Sequence, residues 1–448
     1  MSGLEAPSGT NRCRKSDTGA LPLSAFLRPG IRILRRVAAL AVERGLQLFV
    51  LLLAPLAAAL SRRRLLRGQA ASVWGITPIL TLRTKSRADR LLGTDARSLV
   101  FTTYRMTRDF DLVLANLAES VHRRAPGFYR AFHYAVLAYA LVRFDIFHYY
   151  CDRGILLPAV RIGIHPFELR ILRAAGKRLY TYTYGADVRT RDATIDLGRY
   201  NFCVDCTDVG KACICDTAEG ERNVARIASF ATAMLAMGDM KAYVPGARDF
   251  HYWPLDLAHI PFIGVPTSAA RPLRIVHAPN HPQFKGTRHL LAVVERLRSA
   301  GVSIELDLVQ GLSNEEALLR YEQASIVAEQ FIGGFHGYTA LEAMAMGKPV
   351  VAYIRDPADL IAPGDCPIVS ADPDSLYDVL TSLLRDPEKL HDLGRRGRDY
   401  VRRYYSVEAF AVRLGRLYLE TGRFPPAVQR RLIRAVSRIE ASVGAGTP

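Results

Sequence analysis

Glu342 is the carboxylate in this chain whose neighbours most resemble a ligand site. Gly333, Gly334 and Gly337 precede it, and Ala343-Met344-Ala345-Met346-Gly347-Lys348-Pro349-Val350-Val351 follows. The glycines let the backbone take left-handed angles and approach a ligand closely. Leu341 to Met346 predicts the first turns of a helix, whose free N-terminal amides attract an anion. One turn into that helix, Glu342 can accept hydrogen bonds from vicinal hydroxyls such as a ribose diol. With His336 and Tyr338 in the same turn, this is the layout of a nucleotide-sugar site. The plainer alternative is a buried helix after a glycine turn.

Three further groups carry chemistry. Pro279-Asn280-His281-Pro282-Gln283-Phe284-Lys285-Gly286-Thr287 follows an apolar strand, and a lysine at such a turn can put its ammonium beside a diphosphate; otherwise it is a solvated loop lysine. Tyr182-Thr183-Tyr184-Gly185-Ala186-Asp187-Val188-Arg189 stands at a strand end, with Asp187 either a cleft carboxylate or a cap of the next element. Tyr184 can hydrogen-bond but is a poor base at neutral pH. His148, ending another strand, reads as structural. Cys203, Cys206, Cys213 and Cys215 give C-x2-C-x6-C-x-C within thirteen residues. Such a cluster in a cytosolic protein points to a structural zinc stapling a loop, or to reduced thiols or a redox pair.

The stretch from Glu342 to Val351 resembles the donor-site signature of the family 4 glycosyltransferases: Glu, seven residues, then Glu followed by Ala-Met-Ala-x-Gly-x-Pro-Val-Val. The first glutamate is missing, because the position eight before Glu342 is Gly334. In the family that residue faces the donor sugar, and Glu329 is a candidate to compensate. Lys285-Gly286 matches the family's Lys-Gly pair, while the Arg expected five residues earlier is Asn280. Tyr184-Gly185-Ala186-Asp187 resembles His-Gly-x-Asp with Tyr184 in place of the histidine. Gly75, in a loop after the first strand, would let the diphosphate approach the N-terminal domain. The resemblance implies Asp187, Tyr184 and Lys285 as catalytic candidates. It implies Gly75, Asn280, Lys285, Gly333, Gly334, His336, Gly337, Tyr338 and Glu342 as donor-binding candidates. It also implies a retaining reaction that needs no cofactor or catalytic metal.

Positioning these residues calls for two open sheets. Short apolar runs at Ser72 to Trp74, Leu99 to Thr102, Ile146 to His148 and Leu179 to Tyr182 alternate with helical stretches such as Asp111 to Arg123 and Pro166 to Ala175. After a Pro- and Gly-rich hinge near residues 253–272 the theme resumes at Leu273, with strands at Ile304, Ile326 and Val350 and a helix from Val407 to Glu420. Alternation of this kind predicts an α/β fold with parallel strands, resembling the GT-B architecture of two Rossmann-like domains facing a cleft. The boundaries read as 1–69 for a disordered basic tail and membrane-associating segment, 70–258 for an acceptor-binding domain, 270–405 for a nucleotide-sugar-binding domain, and 406–448 for C-terminal helices.

The 448 residues carry a net charge of +17, and residues 1–70 hold twelve Lys/Arg against three Asp/Glu. Leu46 to Leu60 is a 15-residue apolar run flanked by Arg44 and Arg62-Arg63-Arg64, short of the roughly 20 residues that span a bilayer. It predicts a peripheral or monotopic anchor, with a spanning helix and a soluble core helix as alternatives. No small-residue cleavage site follows it. Val428 to Ile439 predicts a second basic amphipathic helix, either packed on the protein with its arginines in water or in contact with a membrane. No helix-turn-helix, zinc-finger or RNA-binding signature accompanies the charge, so nucleic acid is not an expected partner.

The expectation is therefore a glycosyltransferase at the cytoplasmic face of the plasma membrane. It would take a nucleotide-sugar donor and a lipid-linked or cell-envelope glycan acceptor. A non-catalytic sugar-nucleotide or glycolipid-binding scaffold is the alternative, and an epimerase on the same fold a weaker one.

Overall fold

The computed structural model describes residues 23–104, 107–159, 161–266 and 272–444. The expected tail of residues 1–20, Cys13 and hinge residues 267–271 lie outside the described residues. By its internal contacts the chain divides into two units, Met1–Leu48 and Phe49–Pro448, the second holding both sheets.

The first domain runs through α1 (Leu23–Leu66), β1 (Ala71–Ile76), α2 (Leu82–Leu91), β2 (Asp95–Val100), β3 (Leu112–Val113), α3 (Ala115–Arg124), α4 (Tyr129–Arg143), β4 (Ile146–Tyr150), α5 (Pro166–Ala174), β5 (Arg178–Tyr182), α6 (Arg191–Ile195), α7 (Thr217–Ala228), β6 (Ala233–Ala236) and β7 (Arg248–Asp249). Its seven strands are all parallel in the order β3-β2-β1-β4-β5-β6-β7. Every residue of β1 and β4 is buried, as expected of central strands covered on both faces. The stretch read as a helix from Asp111 opens instead with β3, since Leu112 and Val113 pair with Leu99 and Val100.

The second domain runs through β8 (Leu273–His277), α8 (Pro282–Lys285), α9 (Thr287–Ser299), β9 (Ile304–Leu308), α10 (Asn314–Tyr321), β10 (Ile326–Ala328), α11 (Tyr338–Ala345), β11 (Val350–Ala352), β12 (Val369–Ser370), α12 (Leu376–Leu384) and α13 (Pro387–Tyr404). Its parallel sheet has the order β12-β11-β10-β8-β9. Two helices remain, α14 (Val407–Thr421) and α15 (Pro426–Gly444), and both return to the first domain. Phe410, Leu414, Leu417 and Leu432 pack in one core with Trp74, Leu82 and Leu92, each such side chain contributing about 1.5–3 kcal/mol by burial. The outward and returning connections lie side by side: Leu255 N–H donates to Tyr405 O at 2.7 Å and Val407 N–H to Leu255 O at 3.1 Å.

The apolar run Leu46 to Leu60 lies within a longer helical stretch, Val37–Leu66, of 30 residues. This stretch holds an 18-residue window of mean hydropathy 1.9 and is by length and composition long and apolar enough to cross a membrane. The last turns of α1 are tied to the body through Asp145, which is fully buried. That carboxylate accepts from Ser61 Oγ at 2.5 Å, Arg64 Nε and Nη2 at 2.7 Å, and Ala71 N–H at 2.9 Å. The C-terminal helix is packed as expected, with Val428, Leu432, Val436 and Ile439 buried.

Candidate functional site

The loops that follow β1, β4 and β5 in one domain and β8, β9 and β10 in the other meet around a cavity of about 800 Å³. Ligands of open parallel sheets bind at this carboxyl edge. The first domain supplies Thr81, Tyr104, Tyr150 and Tyr184; the second supplies Asn280, His281, Lys285, Asn314, Tyr338 and Glu342. A wider cavity of about 1090 Å³ shares Leu80, Tyr104, Ser313, Asn314, Tyr338 and Glu342 with it and is edged by Arg83, Arg87 and Arg108.

Glu342 is the one carboxylate lining the first cavity. It sits on α11, which Gly337 opens. Burial pushes its carboxyl up to about 7, and the Asn314 amide, donating from Nδ2 to Oε1 at 2.7 Å, holds it from going further. Asn314 in turn is fixed by the capping box of α10, in which the Ser313 hydroxyl and the Glu316 carboxylate satisfy each other's backbone amides. Sequence reasoning missed Asn314, although its place just after a capping serine was visible.

Lys285 reaches the cavity from the end of α8. Its ammonium pairs with Glu329 and donates to Gln330 Oε1 at 3.3 Å. The other Glu329 oxygen accepts from Gly337 N–H at 2.9 Å. Glu329 does not line the cavity, so it replaces no sugar-facing carboxylate; it holds the ammonium against the start of α11. A Cβ at Gly337 would come within 2.5 Å of Glu329 Oε1 and 3.0 Å of Lys285 Nζ, and only glycine leaves room for this arrangement. Behind it, His277 is buried between Ala328 O (Nδ1, 2.7 Å) and Thr287 Oγ1 (Nε2, 2.8 Å), pushed down to about 4 by burial and hence neutral.

Other expected site residues lie elsewhere. Asp187 is fully buried and accepts the backbone N–H groups of Tyr184 (2.9 Å), Gly185 (3.0 Å) and Cys151 (3.2 Å). Burial and the nearby charge of Asp152 raise it to about 7. It does not reach the cavity; it fixes the loop that presents Tyr184. Tyr184 does line the cavity, and burial raises the pKa of its phenol, which keeps it protonated at neutral pH. Gly75 lies inside β1, where a Cβ would stand 2.5 Å from Leu99 O; it packs strands together and is not in a loop. His336 is buried, pushed down to about 4 by burial, and bonded to Tyr405 Oη at 3.3 Å. Gly333 abuts Phe202, and Gly334, at φ +84°, faces the Arg355 guanidinium. His148 stacks on Trp74 at 3.6 Å and bonds to Tyr182 and Tyr418, a core role.

No local pattern marks Tyr150 as a site residue. Its hydroxyl accepts from Lys85 Nζ at 2.5 Å, and Lys85 is fully buried, its pKa driven well down by desolvation. A buried lysine behind a cavity-lining tyrosine is a polar support that only the packing of α2 on β1 and β2 creates.

Cys203, Cys206, Cys213 and Cys215 gather round one small apolar cavity with Arg189, Phe202 and Phe284. Arg189 Nη1 approaches Cys213 Sγ at 3.7 Å, and Gly210 N–H donates to Cys215 Sγ at 3.2 Å. Among the described residues no three His, Cys, Asp or Glu side chains are grouped to hold a metal ion. Two of the four sulfurs thus accept from protein donors.

Residues 288–400 match the family described as glycosyl transferases group 1. The chain is 29% identical over 207 residues to the MMP alpha-(1->4)-mannosyltransferase of Mycolicibacterium hassiacum, covering 38% of this chain. It spans about half the length of that curated relative, 50%. Among solved structures it is similar to a sucrose-phosphate synthase from Thermosynechococcus elongatus, at 15% identity and TM-score 0.49, covering 79% of this chain and 98% of that one. It is also similar to Anabaena HepE in complex with UDP, at 12% identity and TM-score 0.49, covering 78% and 99%. In fold the chain is an α/β protein of two parallel-sheet domains, and it resembles a group 1 glycosyltransferase of GT-B architecture.

Proposed function

We propose that the protein transfers a sugar from a nucleotide-sugar donor to an acceptor hydroxyl. The observation that carries this reading is the convergence of Glu342 and Lys285, from loops after β10 and β8, on one cavity between the domains. Glu342 accepts from the ribose hydroxyls and orients the donor. Lys285, held by Glu329, faces the diphosphate and stabilises the charge that develops as it leaves, the kind of preorganised electrostatics that dominates such catalysis. The donor's sugar then points toward Tyr184 and Tyr150, and the acceptor enters through the wider cavity edged by Arg83, Arg87 and Arg108.

In the wider cavity Asp109 and Asp256 are paired with Arg83 and Arg87, and Glu315 lies at its edge. Among the described residues Glu342 is the only carboxylate lining the first cavity, and in this reading it is assigned to the donor. This favours a mechanism in which the leaving diphosphate itself receives the acceptor proton, with retention of configuration and no catalytic metal. The apolar stretch of α1 supports a membrane-associated enzyme acting at the cytoplasmic face on a lipid-linked or cell-envelope glycan acceptor.

Incubating the protein and membranes with radiolabelled UDP, GDP and ADP sugars tests this. Label moving into the lipid or glycan fraction is expected. Donor that binds but stays intact would make the protein a scaffold, and an isomerised sugar would make it an epimerase.

A further inference from the structure

Away from the cleft, a second cavity of about 620 Å³ opens where Arg67, just beyond α1, meets the end of α2 and one face of α15. Its lining includes Arg67, Arg430, Arg431, Arg434 and Arg438 and no acidic residue. None of the five makes an ion pair among the described residues, although Arg416 on the adjacent α14 is paired with Glu440 at 2.5 Å. Arg431 is the most constrained. Its side chain crosses Gly93, where a Cβ would stand 3.2 Å from Arg431 Cδ, and its Nε and Nη2 are buried with no hydrogen-bond partner.

Buried N–H donors without an acceptor, as at Arg431 Nε and Nη2, cost free energy. Five arginines around one cavity form a site for an oxyanion with several acceptor oxygens, and guanidinium groups match phosphate bidentately. What delivers the anion is indicated by the neighbouring surface. Leu52 (72% exposed), Leu56 (54%) and Leu66 (57%) leave an apolar face on the part of α1 that runs into Arg67. An apolar helix face ending in a basic cavity matches the acyl-to-headgroup profile of a bilayer interface.

We infer that the arginine cavity binds the phosphate of an anionic phospholipid headgroup, seating the first domain on the membrane beside α1. This deepens the membrane part of the proposed function and is independent of sugar transfer. Transfer to a soluble acceptor in detergent solution tests the enzyme reading alone, so failure of one is distinguishable from failure of the other.

The test is flotation of the full chain with phosphatidylcholine vesicles, with and without phosphatidylglycerol. The comparison is the triple variant R430Q/R434Q/R438Q, which spares the packed Arg431; its fold is checked by circular dichroism and thermal melting. Wild type is expected to favour the phosphatidylglycerol vesicles, and the variant to lose about tenfold or more of that preference, with equal binding of both proteins to phosphatidylcholine alone. Equal binding of wild type to both vesicle types, or an undiminished preference in the variant, overturns the inference. Saturable thermal stabilisation by inorganic phosphate without any vesicle preference assigns the cavity to a free anion and also overturns it.

Discussion

Asn314 donates to Glu342 across the interface of α10 and α11 at 2.7 Å, and this amide favours the ionised form of a carboxylate that burial holds back from ionising. Burial raises Glu342 to about 7 and the Asn314 bond opposes that rise. In the proposed reading the ionised form accepts from both ribose hydroxyls, so donor affinity is expected to be full above about pH 7 and to fall as pH drops through it. Asn314→Ala removes the opposing influence and moves this acid limb to higher pH. A donor KM profile that is unchanged in the variant would count against the assignment.

The same shift has a stability consequence of opposite benefit. The folded-state pKa of Glu342 lies above its unfolded value, so the folded protein binds more protons and loses stability as pH rises from about 4.5 to about 7. Glu342→Gln removes that penalty. It is expected to raise stability by about 1–3 kcal/mol at pH 8 while weakening donor binding. Thermal melts at pH 5 and pH 8 check this; a gain of equal size at both would refute the ionisation argument.

The proposed function gives the pair of Lys285 and Glu329 both a catalytic and a structural role, and a double variant separates them. Lys285→Ala is expected to lower turnover about 10²–10³-fold. It also leaves the Glu329 side chain, 1% exposed, without its cation, costing about 3–5 kcal/mol. Adding Glu329→Gln should restore most of the stability and none of the turnover, as read by denaturant melts and single-turnover assays.

Restoring the missing family glutamate at Gly334 is expected to fail. The backbone there has φ +84° and the Arg355 guanidinium fills the space a Cβ would enter. Gly334→Glu should lose about 1–3 kcal/mol from the backbone alone and show no rise in transfer rate. Higher activity with an unchanged melting temperature would show that the turn can rearrange.

Truncations should divide sharply between residues 48 and 69. Removing residues 1–48 leaves Ser61 and Arg64 on the buried Asp145, and the remainder is expected to fold in detergent. Removing residues 1–69 strips Ser61 and Arg64 and leaves the buried carboxylate with the Ala71 N–H alone among these donors, a loss of about 3–5 kcal/mol. Equal melting temperatures for the two would dismiss Asp145 as the anchor point.

By itself, the sequence determined what short-range patterns encode. Alternating apolar runs and helical stretches marked the two parallel-sheet domains, because strand and helix periods are local properties. Gly337, Glu342 and Lys285 were legible because a glycine turn before a helix and a lysine after a strand each act within a few residues. Only the tertiary structure decided which charged groups face the cavity. Asp187 turned inward because three backbone N–H groups converge on it, and Gly75 became a strand contact because Leu99 O lies against it. Glu329 met Lys285 across 44 residues of chain. The arginines of α15, which sequence placed in water, were gathered with Arg67 into one cavity by the return of the C-terminal helices to the first domain. Such meetings depend on long-range packing, where burial and desolvation set the role of each group, and no local pattern records them.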